Sequence, residues 1–221
     1  GLRSIDKIVC PQEVCQLSDI IKTVLACVLS TALTLSTAYV MSKIRFKGRK
    51  AFMNLAMILG LFPGFMSMIA IYHILKAVGL DQTIFALILV YSGGAALNYY
   101  IAKGFFDTIP YDIEESAMID GASRFKCFWN IVLPLAKPGA ITSVILCFTS
   151  VWNEYMLGSL LLKSEANRTI TYGISQFIGQ FTAEYTCVLA AATIASIPTL
   201  LILIFAQKYI VAGLSAGAVK G

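Results

Sequence analysis

Residues 104–138 read GFFDTIPYDIEESAMIDGASRFKCFWNIVLPLAKP, a charged, amphipathic run set between stretches apolar enough to cross a bilayer. Its first half predicts a helix over 109–120. Thr108 stands where an N-cap belongs, Pro110 is tolerated in a first turn, and Asp112, Glu114 and Glu115 suit the positive end of the helix dipole. Gly121 stops the helix, because glycine readily takes the left-handed conformation that closes a helical C-terminus. Ile109, Ile113, Ser116 and Ala117 share one stripe that ends near Asp120, and their side chains shrink toward the tip, so another surface can come close to the backbone there. The second half, 124–133, places Phe125, Phe128, Trp129 and Val132 at i, i+3, i+4 and i+7, with Arg124, Lys126 and Asn130 opposite. Pro134 and Pro138 end it. Such a helix lies in the membrane interface, its aromatic face toward lipid or neighbouring helices. Periodicity alone leaves two readings open: a helix–Gly–helix hook that docks a partner, or a purely structural interfacial hairpin.

Outward from this run the chain is strongly apolar. Its 221 residues are 58% hydrophobic and 13% charged, with a mean hydropathy of +0.79. The apolar residues come in blocks rather than alternating with polar faces, which excludes an ordinary soluble domain. A helix needs roughly 20 mainly apolar residues to cross a hydrocarbon core of about 30 Å. Five blocks meet that length: 20–41, 52–75, 83–102, 139–162 and 187–207. The fold class expected is an all-α, polytopic membrane bundle. Ala26, Ser30, Thr34 and Ala38 recur at every fourth position of the first span, and Ala191 and Ala195 do so in the last, as close helix packing in lipid requires. Pro63 and Pro198 interrupt spans and predict kinks. The six cysteines show no metal-ligand spacing; Cys27, Cys147 and Cys187 sit inside or at the ends of spans and read as small hydrophobes, and Cys10 and Cys15 could pair outside them.

Charge placement suggests an orientation. With the 104–138 run in the cytoplasm, eleven of the 17 basic residues fall inside: Lys43, Arg45, Lys47, Arg49, Lys50, Lys103, Arg124, Lys126, Lys137, Lys208 and Lys220. This follows the positive-inside rule. The expected organisation is an extracytoplasmic segment 1–19, a transmembrane domain 20–208 carrying the 105–138 segment inside and a 163–186 loop outside, and a cytoplasmic tail 209–221. An outside N-terminus without a visible signal leads us to expect a further helix upstream.

The 104–138 run resembles the EAA motif of bacterial ABC importer permeases, in which Glu115, Ser116, Ala117 and Gly121 fill the key places, Asp120 precedes the glycine and Pro134 closes the motif. Ser116 replaces the usual first alanine and is still small. YHILKAVGLDQT (72–83), WNEYMLGSLLL (152–162) and the terminal GLSAGAVKG (213–221) are similar to the second permease subunit of the maltose-type, carbohydrate-uptake branch. The resemblance covers most of 20–221 and implies six helices, of which five are visible. It further implies that Glu115, Ser116, Ala117, Asp120, Gly121 and Phe125 couple the subunit to cytoplasmic ABC ATPases. The other implied partners are a second permease subunit, an extracytoplasmic sugar-binding protein and membrane lipid, with no nucleic acid. The chain carries no GxxxxGK[ST] phosphate loop, so ATP and its magnesium are expected on the partner ATPase and no cofactor on this chain.

Glu154 is the one acid expected inside a span, flanked by Trp152, Asn153 and Tyr155. An acid at membrane depth is costly and usually faces a cavity or partner. Asn153, Glu154 and Tyr155, with Asn98 in another span, are therefore candidates for a substrate pathway. Helix-to-helix hydrogen bonding is the alternative for Glu154 and Asn98, and outer-surface exposure a third for Glu154. On the pathway reading, Glu154→Ala should alter transport more than membrane abundance. His73 has no second histidine or clustered acid near it in sequence and reads as structural. The competing functional classes are an integral-membrane enzyme, which would need clustered acids, histidines or cysteines at membrane depth, and a scaffold whose 105–138 segment docks a non-ATPase partner.

Overall fold

The computed structural model describes residues 2–61, 64–93, 96–162, 169–178 and 185–218. Pro63, the polar stretches 163–168 and 179–184, and the last three residues lie outside the described residues. The helices are α1 (Leu2–Lys43), α2 (Arg49–Leu61), α3 (Gly64–Ala77), α4 (Ile84–Gly93), α5 (Ala96–Asp107) and α6 (Tyr111–Ile119). They continue with α7 (Arg124–Leu135), α8 (Lys137–Trp152), α9 (Met156–Leu161), α10 (Ile170–Ser175) and α11 (Tyr185–Ala218). The all-helical membrane fold expected from composition is what forms.

Two described helices are long and apolar enough to span a bilayer unaided, Asp19–Lys43 and Tyr185–Gln207. Three more candidates are interrupted pairs, α2 with α3, α4 with α5, and α7 with α8, so the described residues hold up to five spans. The expected helix 139–162 is corrected most sharply: α8 stops at Trp152, and a short α9 begins at Met156. The break has a local cause. The Glu154 carboxylate turns forward and accepts the backbone N–H groups of Leu157 at 2.7 Å and Gly158 at 3.0 Å, donors that a helix start leaves without intrahelical partners. Helix α1 begins at Leu2 and α11 runs on to Ala218.

The chain divides into two compact units. The first comprises Gly1–Cys27, Pro63–Gly93 and Phe148–Ile204. Its core is Leu75, Ala86, Leu87, Leu161 and Leu162, where α3, α4 and α9 meet. Within it Pro198 sits inside α11, and the Trp152 indole N–H donates to the Ala195 carbonyl of the same helix at 3.0 Å. The second comprises Val28–Phe62, Gly94–Cys147 and Phe205–Gly221. Its core gathers Leu35, Ala38 and Tyr39 of α1, Tyr99, Ala102 and Phe106 of α5, and Phe128, Val132 and Ala136 from the 128–136 stretch. The small-residue stripe of α1 is buried at all four positions, Ala26, Ser30, Thr34 and Ala38. By contrast, no residue of α2 is buried, and α11 exposes Leu189, Leu200, Ile204 and Phe205. Such apolar surface needs lipid or another subunit around it.

Candidate functional site

In the second unit, α6 starts two residues later than the sequence suggests. Thr108 does not cap it: its hydroxyl donates back to the Phe105 carbonyl at 2.7 Å, closing α5 instead. Pro110 occupies the N-cap position without a side-chain bond, and Asp112 and Glu114 stand in the first turn. The other end forms as read. Gly121 has φ +86°, its N–H bonds the Met118 carbonyl at 3.1 Å, and the Ala122 N–H bonds the Ala117 carbonyl at 3.0 Å. This paired closure is a Schellman motif, for which a left-handed residue is required. Ser123 then caps α7, accepting the Lys126 N–H.

The residues expected from sequence to couple to a partner lie mostly at the surface. Glu115, Ser116 and Asp120 are exposed and Ala117 half-buried, with the Ser116 hydroxyl turned back onto the Asp112 carbonyl. Ile113, Ile119 at 80% exposure and Phe125 at 74% project from the same hook. Of the expected stripe, Ile109 alone is buried. The aromatic face of α7 also splits rather than acting as one. Phe128 and Val132 enter the core, Phe128 packing on Tyr39 with ring centroids 4.8 Å apart, whereas Phe125 and Trp129 remain outside, edge to face with each other. Pro134 explains the division. It offers no N–H to the Asn130 carbonyl, and residues 128–132 widen into a π turn in which the Leu133 N–H reaches Phe128. Helix α7 then meets α8 at 81°, as a helix lying along an interface meets one that crosses it.

What sequence reading missed is Glu114. It is 1% exposed, the single buried residue of α6. The Tyr39 hydroxyl donates to it at 2.9 Å, and the Lys43 ammonium stands 3.4 Å from its other oxygen. Lys43, assigned from sequence to the loop charges, is itself buried and donates to the Ile109 carbonyl at 2.5 Å. Beside it the Ser42 hydroxyl donates to Asp107 at 2.6 Å, and Asp107 also pairs with Lys103. An open cavity of about 700 Å³ adjoins this seam, bordered by Arg45, Arg49 and Arg124. The signal available in sequence was a Tyr and a Lys four apart at the end of α1, facing one way, but their partner lies 75 positions from Tyr39.

The pathway candidates fall in different units. Asn98 is buried in the second unit. In the first, Asn153 is exposed and bonds the Thr149 carbonyl, and Tyr155 is exposed and stacked on Tyr172 with centroids 6.3 Å apart. Glu154 is fully engaged: besides its two backbone donors it accepts the Tyr91 hydroxyl at 2.6 Å, and its carbonyl accepts Thr171 at 2.9 Å. It borders a cavity of about 10 Å³, room for about one water, together with a buried Asp19–Lys22 pair. Asp19 in turn holds the Ile170 N–H at the start of α10. The geometry ties helices together here.

A family model described as binding-protein-dependent transport system inner membrane component matches residues 24–216. The galactooligosaccharides transport system permease protein GanQ of Bacillus subtilis (strain 168) is 39% identical over 187 residues, covering 84% of this chain and 66% of that protein. The maltodextrin transport system permease protein MdxG of the same organism is 35% identical over 196 residues, covering 88% and 70%. The chain thus spans about two thirds of the length of these relatives. In fold it is similar to a chain from the crystal structure of a bacterial ABC transporter involved in the import of the acidic polysaccharide alginate. That likeness has a TM-score of 0.82 at 24% identity and covers 93% of this chain and 78% of the other.

Proposed function

The chain belongs to the family of inner membrane components of binding-protein-dependent transport systems, and on that premise we propose that it is the transmembrane permease subunit of an ATP-driven bacterial importer for a sugar or oligosaccharide. The observation that carries the coupling role is the exposed hook: α6, closed by a left-handed Gly121, offers Glu115, Ser116 and Asp120 to a partner, with Phe125 projecting beside them. A cytoplasmic ATPase that grips this hook and closes on ATP would bias the bundle between two arrangements, each stabilised by the ligand that binds it better. ATP and magnesium belong to that ATPase, and this chain supplies no catalytic group.

The remaining partners are argued from surface and kinship. The apolar faces of α2 and α11 suit lipid and a second permease subunit, and a sugar-binding protein on the far side would deliver substrate. The hook and the C-terminus belong in the cytoplasm, in keeping with the bias of Lys and Arg. The carbohydrate class is supported by relatives named for galactooligosaccharides and maltodextrin.

Purifying the tagged full-length protein from its native membrane in mild detergent, with mass spectrometry of the proteins that accompany it, tests the assembly. An ATPase, a second permease and a sugar-binding protein are expected. Recovery without an ATPase, from a preparation shown to preserve a known transporter complex, would reject the reading.

A further inference from the structure

A hook that is pulled can do work only if it is fastened to something that moves. Eight of the nine residues of α6 are exposed or half-buried, and the one buried side chain is a carboxylate. It is buried against the last turn of α1. Tyr39 and Lys43 stand four apart on one face of that helix and converge on the two oxygens of Glu114. Lys43 also holds the Ile109 carbonyl, and Ser42 holds Asp107, so the residues leading into α6 are pinned to the same helix end. We infer that the Glu114 carboxylate, clasped by Tyr39 and Lys43, is the link through which displacement of α6 is delivered to α1, an unbroken span. This rests on the importer reading.

The choice of an ion pair is itself informative. Burying two charges is a poor route to stability, because desolvation offsets much of their attraction, yet separating such a pair strands both charges. An apolar contact between the two helices could slide, with little change in energy over small displacements. A carboxylate hydrogen-bonded by a hydroxyl at 2.9 Å and paired with an ammonium at 3.4 Å resists being drawn away from α1. Glu114 is therefore a positioning residue, distinct from the exposed Glu115 beside it.

The assembled transporter, reconstituted with its ATPase and binding protein, provides the test. Glu114→Gln preserves shape and an acceptor for Tyr39 but removes the charge. The ATPase should remain bound and hydrolyse ATP, while substrate moved per ATP falls about tenfold. Unchanged transport per ATP in Glu114→Gln would overturn the inference, and so would loss of the ATPase from that variant, which would make Glu114 a docking residue. A second measurement leaves the clasp intact: spin labels at the exposed positions Val40 and Ile119 should keep their separation between nucleotide-free and ATP-bound complexes. A change of about one helical turn, ~5 Å, would show that α1 and α6 move apart and would overturn it. Absence of an ATPase from the unsubstituted complex would instead reject the importer reading, and the inference with it.

Discussion

Glu154 and Tyr91, 63 positions apart, are joined by a 2.6 Å hydrogen bond at the point where α8 ends and α9 begins. The same carboxylate caps α9 through Leu157 and Gly158, so one side chain closes a break in a helix and ties it to α4. Removing it should cost about 2 kcal/mol, because three donors lose their acceptor together. Glu154→Ala should therefore lower membrane abundance and detergent melting temperature, and Tyr91→Phe should lower them less. This reverses the order expected from sequence, where transport was to suffer before abundance. Wild-type stability with impaired uptake would restore the pathway reading.

Gly121 sits at φ +86° and gives its N–H to Met118. Alanine there would cost about 1 kcal/mol in left-handed strain and should weaken coupling modestly. Proline fails on two counts, since its ring fixes φ near −65° and it has no N–H to donate. Gly121→Pro should leave the subunit inserted but abolish ATP-coupled uptake. Vesicle uptake assays beside immunoblots for subunit abundance would separate the two effects, and normal uptake would sink the docking role of the hook.

Gly139, near the start of α8, faces Phe105 so closely that an added Cβ would overlap the base of the phenyl side chain. Those atoms are close to the Phe105 backbone and have little freedom to withdraw. Gly139→Ala should destabilise by about 1–3 kcal/mol, as overpacking does. Gly139→Ala combined with Phe105→Ala should recover part of that loss in a thermal unfolding series.

Ser123 caps α7 through the Lys126 N–H. Ser123→Ala should cost about 1 kcal/mol, and Ser123→Asp should retain the cap. Proteolytic nicking of the 120–126 stretch should become faster in the alanine variant and stay slow in the aspartate one.

The elements that were legible in sequence depend on local chemistry. Long apolar blocks located the spans, and a lone glycine after a short acidic helix located the closure at Gly121. Where the reading went astray, one cause was a distant partner and two were local chemistry that apolar periodicity hides. The clasp on Glu114 joins α6 to the end of α1, and no window along the chain holds both. Asn153, Glu154 and Tyr155 were read as helix interior because their neighbours are apolar, whereas the carboxylate serves as a cap. The even aromatic stripe of α7 assumed 3.6 residues per turn throughout, and Pro134 broke that count.

The π turn before Pro134 carries a consequence for how the hook tolerates insertion and deletion. A turn of this kind holds one residue more than the α-helical turn it replaces, so its removal is a matter of length rather than composition. Deleting a single residue from 128–132 would regularise the helix and leave everything before it on nearly its present bearing relative to the residues after Pro134, because the extra residue is taken up within one turn. Phe125 would then keep its direction with the chain between it and Pro134 one residue shorter. The aim of Phe125 is thus tolerant of the loss of that one residue, a tolerance that substitution scans preserving length would pass over.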